Sequence, residues 1–119
     1  MIKFRAWDKL GKEMWNVETI YIEDEWVKVN DGSIYGVTKD LVRSYELMQS
    51  TGLKDFDGVE IFDKDIAKDI DSEELGVVEY DEGQFRVIFG DVSVQLWEVD
   101  KNIQIIGNIY QHPELLERE

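Results

Sequence analysis

A chain of 119 residues with 27 acidic and 13 basic side chains carries a formal net charge of −14. That balance repels nucleic-acid phosphates and anionic membrane surfaces, so direct binding to either by general electrostatics is not expected. Cysteine is absent, which excludes a disulfide framework, a zinc–thiolate site and thiol chemistry. With 43% apolar and 12% aromatic residues the chain is not composed like a disordered one. It reads as one domain, or as one domain with two lobes at about 1–50 and 51–119.

The first residues, Met1-Ile-Lys-Phe-Arg-Ala-Trp-Asp8, contain no apolar signal core, and no run of about 18 apolar residues follows anywhere. A cytoplasmic setting is the expectation, with no membrane contact. Ile2–Trp7 and Met14–Ile22 read as strands around a turn at Asp8–Lys12. Trp26–Asn30 and Ser33–Val37 flank Asp31-Gly32, a strong two-residue hairpin signal. That hairpin has apolar side chains on both faces, with Val27, Val29 and Ile34 on one and Trp26, Tyr35 and Val37 on the other. If Trp26 and Tyr35 lie outside the core, they mark a partner surface or a contact within a homo-oligomer. Lys39–Met48 fits either a short helix or a strand.

The stretch Leu47–Ile66 is rich in carboxylates, and two registers compete around Asp57-Gly58. A two-residue turn would set Asp55 opposite Glu60, an unfavourable like-charge pair. A three-residue loop, Phe56-Asp57-Gly58, pairs Lys54 with Glu60 and Leu53 with Ile61, and puts glycine where a left-handed residue is needed. The three-residue loop is preferred, with Asp57 as turn former. Asp55, Asp57, Asp63, Asp65, Asp69 and Asp71 could ligate a hard cation. Alternate spacing along a strand is equally how solvated side chains recur, and that is the reading adopted. No EF-hand fits, because the segment from Asp71 through Gly76 to Glu82 has Leu75 at its fifth position.

Gly76–Val99 gives the clearest pattern. Turns at Glu82-Gly83 and Gly90-Asp91 put Tyr80 opposite Phe85, Val78 opposite Val87, Gly76 opposite Phe89, Phe89 opposite Val92, Val87 opposite Val94 and Phe85 opposite Leu96. One apolar face of a three-stranded meander results, and Glu79 meets Arg86 on the other. Ile103–Tyr110 reads as a last strand with Gly107 as a bulge or close backbone approach. Pro113 then opens a short helix that docks through Leu115 and Leu116.

Signals for catalysis are poor. His112 is the single imidazole and sits at the helix entry; no glycine-flanked serine elbow, Walker loop or dinucleotide fingerprint occurs. Among 27 acids no particular pair is singled out for hydrolysis. Trp7, Trp15, Trp26 and Trp97 serve cores by default and interfaces by exception.

The chain resembles the YopX proteins of phages and prophages nearly end to end. The resemblance rests on Ile2-Lys-Phe-Arg-Ala-Trp-Asp8, on Leu47-Met-Gln with Thr51-Gly-Leu-Lys-Asp55, and on Gly58, Glu60-Ile61 and Asp65-Ile66. It continues in Gly76-Val-Val, Tyr80 and Phe85, in Ile106-Gly-Asn-Ile-Tyr110 and in Pro113-Glu-Leu-Leu116. The family usually has glycine where Lys64 stands, and commonly valine at Ala67, which weakens the inference of a sharp bend at position 64. The resemblance implies a mainly β protein with barrel-like parts, acting in a bacterial host cell. It implies no agreed activity and no catalytic residues.

The expectation is therefore a mainly β fold, all-β or β-rich α+β, of antiparallel hairpins and a meander forming small barrel-like units, with a short C-terminal helix. The function expected is non-enzymatic binding or assembly through contacts with a protein partner, or with a second copy, and without a cofactor. Candidate contact residues are Gln49, Thr51, Lys54, Asp55, Trp26 and Tyr35. The alternatives are an acidic DNA mimic that inhibits a DNA-binding protein, and a carboxylate-based metal-dependent enzyme.

Overall fold

The computed structural model describes residues 3–33 and 35–117. Ile2, the expected start of the first strand, and Ile34 of the expected hairpin lie outside them. The chain divides into two compact units, Met1–Gln49 and Ser50–Glu119.

In the first unit β1 (Phe4–Asp8) and β2 (Glu13–Tyr21) flank a turn held by Asp8, whose Oδ1 accepts the Leu10 and Gly11 N–H groups at 3.0 Å each. β3 (Trp26–Asn30), β4 (Val37–Leu41) and the start of β5 (Tyr45–Lys54) complete an antiparallel sheet in the order β4-β3-β2-β1-β5. A short 3-10 turn, Val42–Ser44, separates β4 from β5, so the ambiguous 39–48 segment is mostly strand. Ala6, Val27, Val29 and Tyr45 form the buried cluster, with Trp15, Val17, Ile20, Val42 and Leu47 packed against it. Each fully buried aliphatic side chain here contributes about 1.5–3 kcal/mol.

The Asp31-Gly32 hairpin is a correction. Asn30 pairs with Val37, so the second strand of the hairpin starts at Val37 and not at Ser33, and the connection runs from Asp31 to Gly36. Asp31 closes the loop. Its N–H donates to the Gly36 carbonyl at 2.8 Å, and its Oδ1 accepts the Ser33 N–H at 2.9 Å and hydroxyl at 2.7 Å. A carboxylate bonded to its own loop in this way outcompetes a two-residue turn. These hydrogen bonds, the Ser33 hydroxyl first, hold the Asp31 carboxyl below its ordinary range.

In the second unit the end of β5 pairs with β6 (Glu60–Phe62), and a second antiparallel sheet has the order β10-β9-β8-β7-β11. Its strands are β7 (Asp65–Asp69), β8 (Leu75–Asp81), β9 (Gln84–Phe89), β10 (Val92–Gln95) and β11 (Ile103–Asn108). The meander has the expected register, with Val78 opposite Val87, Tyr80 opposite Phe85, Val92 opposite Phe89 and Val94 opposite Val87. The pairing stops at Gln95 opposite Arg86: Leu96 opens a helical turn, so the expected Phe85–Leu96 strand pair is not formed. Val78, Val87 and Leu96 are buried in one core with Ile61, Ala67 and Ile103. The shared apolar face frays at its ends, where Tyr80 and Val92 are exposed. Arg86 lies opposite Glu79, whose carboxylate pairs with Lys64 at 3.5 Å.

A single α-turn (α1, Leu96–Val99) follows β10. The C-terminal segment Pro113–Glu117 is a 3-10 helix; Leu115 is half-buried and Leu116 exposed, so docking through both leucines does not occur. The register of β7 and β11 shifts between Ile105 and Gly107, where a Cβ would lie 2.5 Å from the His112 ring. The unpaired residue of the bulge is Ile106, and Gly107 beside it is the close approach. Both sheets are open, and no barrel closes among the described residues.

Candidate functional site

The central hairpin answers whether its carboxylates do chemistry. Lys54 pairs with Glu60 and Asp55 N–H donates to the Val59 carbonyl at 2.9 Å, leaving Phe56-Asp57-Gly58 as the loop, with Gly58 at φ 82. Asp55 rather than Asp57 is the turn former, and it is only 2% exposed. Its Oδ1 accepts the Asp57 N–H at 2.9 Å and the Val59 N–H at 2.8 Å; its Oδ2 accepts the Ile105 N–H at 2.8 Å. Three backbone donors make this carboxylate a fastening between the loop and β11. Asp57 instead takes the Gln104 side-chain amide at 2.8 Å.

Asp65 is likewise buried, at 1% exposure, and its Oδ2 accepts the Phe62 N–H at 2.8 Å across the Asp63-Lys64 turn. The reading of Asp55 and Asp65 as solvated is corrected: the buried N–H groups of the turns they close need acceptors more than the carboxylates need water. Lys64 stands at φ 72 without glycine, so the bend at position 64 is present. Asp63 has one oxygen buried without a hydrogen-bond partner. Burial pushes its carboxyl above the ordinary range, with Glu79 adding to the push; the Lys64 ammonium and the Tyr80 and Lys64 N–H groups pull against it. Among the described residues no three His, Asp or Glu side chains converge as metal ligands do.

The other candidate residues divide between the units. Thr51 is committed to structure, because its hydroxyl donates to the Ile61 carbonyl at 2.8 Å and accepts the Leu53 N–H at 3.1 Å. It sits in a bulge that slips the register, so that Ser50 pairs with Phe62 and the expected Leu53–Ile61 pair is lost. Lys54 is exposed on the same hairpin. In the first unit Gln49 pairs with Phe4, Trp26 is half-buried with the Lys39 ammonium 5.9 Å from its ring centroid, and Tyr35 is 95% exposed on the 31–36 loop.

Two hollows remain. One in the first unit, about 370 Å³, is lined by Ile20, Tyr21, Ile22, Leu41 and Val42, with Glu25 and Arg43 standing in solvent at its rim. The other, in the second unit, is a groove of about 240 Å³ lined by Leu53, Gln84, Phe85, Gln95, Leu96 and Trp97. The smaller one carries what protein contacts use, a tryptophan 65% exposed beside a buried leucine. The Trp97 indole N–H donates to the Gln95 side-chain oxygen, which fixes the ring. Tyr80 extends the apolar surface, its ring edge-on to Phe85 at 5.0 Å. None of these side chains is charged. Residues 1–49 carry nine acids and seven bases, a net of −2, whereas residues 50–119 carry 18 acids and six bases, a net of −12. An uncharged aromatic groove thus lies within the strongly acidic unit.

The YopX protein family model matches residues 3–117 of this chain. The chain belongs to the YopX family. Its fold is similar to the crystal structure of protein EF1440 from Enterococcus faecalis, at 32% identity and TM-score 0.73, covering 98% of each chain. It is also similar in fold to protein yopX from Bacillus subtilis, at 21% identity and TM-score 0.66, covering 98% of this chain and 97% of that one. No curated protein matches. No helix among the described residues is long and apolar enough to cross a membrane.

Sequence reasoning missed the groove. Its signal is the adjacent apolar pair Leu96-Trp97, which breaks the alternation of β10. The two open α1, where successive side chains point about 100° apart, so Leu96 turns into the core and Trp97 out of it.

Proposed function

We propose that this YopX-family chain is a non-enzymatic binding protein of a phage or prophage, acting in the host cytoplasm by holding a partner protein at the Trp97 groove. The observation that carries the reading is an exposed tryptophan, fixed by Gln95, over a hollow floored by Leu96 and Phe85. Tryptophan in such a setting supplies large contact area at little cost in side-chain freedom. The central carboxylates support the same reading from the other side, since Asp55 and Asp65 already serve backbone donors.

The test is capture from induced host cells by the wild-type chain and by Trp97→Ala in parallel. A defined partner held by the wild type and lost from a variant with an unchanged melting curve supports the groove. A partner held equally by both contradicts it.

A second reading rests on charge. The net −12 of residues 50–119 suits an acidic decoy for a basic, DNA-binding partner. In that case duplex DNA and raised salt both release the captured protein; a partner that duplex DNA does not displace contradicts the decoy.

A further inference from the structure

The five-stranded sheet of the second unit ends in two unlike edges. At β11 the outward main-chain groups are occupied: the Ile103 carbonyl accepts the Phe56 N–H at 2.9 Å and the Ile105 N–H donates to Asp55 at 2.8 Å. At the other edge β10 has β9 as its neighbour and no further strand among the described residues. Phe89 and Val92 close a two-residue turn and so exchange both of their hydrogen bonds. The alternation of an antiparallel ladder then turns the N–H and C=O groups of Ser93 and Gln95 away from β9.

Exposed edges are ordinarily blunted by lysine, proline, a bulge or an inward charge. β4 of the first unit carries Lys39 and Asp40. Val92-Ser-Val-Gln95 is blunted only by its length of four residues, and it leads directly into Leu96 and Trp97 of the groove.

We propose that β10 takes an extended segment of a basic partner protein as an added strand, with one apolar side chain of that segment seated in the Trp97 groove. This deepens the binding reading above and rests on it. Strand addition supplies affinity through main-chain hydrogen bonds, while a pocket beside the edge selects the side chain. Charge chooses the occupant. A second copy would bring another unit of net −12 to the same edge, whereas Lys or Arg flanking the added strand answers Asp91, just before β10, and Glu98, in the α-turn that follows it.

The test pans the full chain against a random peptide library. Enriched peptides are expected to alternate apolar and polar residues between basic flanks, and to slow hydrogen exchange at the Ser93 and Gln95 amides. Ser93→Pro removes an outward N–H and no ladder bond, so it should weaken binding about tenfold or more with little change in melting. N-methylation of alternate peptide amides should do the same with every side chain of peptide and protein intact. Equal binding by Ser93→Pro and by the methylated peptides overturns strand addition; if Trp97→Ala still abolishes that binding, the groove reading stands without it. A library that yields no alternating basic peptide also overturns the proposal. So does sedimentation of the chain alone as a dimer that Ser93→Pro dissociates, which assigns the edge to a second copy.

Discussion

At the scale of single residues, Asp63 and Lys64 show what a tight turn tolerates. Burial holds the Asp63 carboxyl above its ordinary range, so between that range and the raised value the native state binds more protons than the unfolded one. Stability therefore falls as pH rises through this window, and the whole cost is present above it. Asp63→Asn should raise the melting temperature at pH 7, with a gain that shrinks as pH falls toward the ordinary carboxylate range. Thermal melts across that range check it, and a variant less stable at pH 7 would contradict it. Lys64 at φ 72 occupies a conformation that costs a residue with a side chain roughly 1–2 kcal/mol. Glycine would relieve that but loses roughly 0.5–1 kcal/mol to its greater freedom when unfolded. The half-exposed Lys64–Glu79 pair adds only about 0–1 kcal/mol. Lys64→Gly should thus change urea stability by no more than about 1 kcal/mol in either direction. The bend was not legible from residue type, because the backbone bonds around it, including Lys64 N–H to the Val78 carbonyl at 2.7 Å, hold it without glycine.

At the scale of elements, two glycines fail for different reasons when replaced. Gly58 has positive φ and nothing within 4 Å of an added Cβ, so Gly58→Ala should cost about 1 kcal/mol from backbone conformation alone. At Gly76 the added carbon would meet the Ile88 carbonyl oxygen at 2.9 Å and Phe89 and Val87 side-chain atoms at 2.8 and 2.9 Å. A carbonyl inside a sheet cannot swing aside, so Gly76→Ala should cost about 1–3 kcal/mol by overpacking. Urea unfolding separates the two: Gly58→Asn, which tolerates the left-handed region, should recover part of the loss, and no small side chain should rescue Gly76. The β8–β9–β10 meander was legible because two tight turns fixed a register that alternation then repeated. The 31–36 loop was not, because its closure depends on one carboxylate choosing its own N–H neighbours over the strand. The bulge at Thr51-Gly52 was hidden for the same reason, since a side-chain hydroxyl stands in for a ladder partner.

At the scale of the whole molecule, the acidity divides by task. Asp55 and Asp65 are consumed in holding the fold, while exposed acids give the second unit its net −12 around an uncharged groove. The mainly β architecture was legible from alternation and turn residues. The burial of Asp55 was not, because its third donor is the Ile105 N–H, 50 positions along the chain, and no local pattern announces it. The central claim is that the carboxylate-rich hairpin builds structure. Urea unfolding of Asp55→Ala tests it most directly, since the change removes three backbone hydrogen bonds to a carboxylate, each worth about 1.5–3 kcal/mol. A loss of about 3 kcal/mol or more is predicted; an unfolding midpoint equal to that of the wild-type chain would contradict the account.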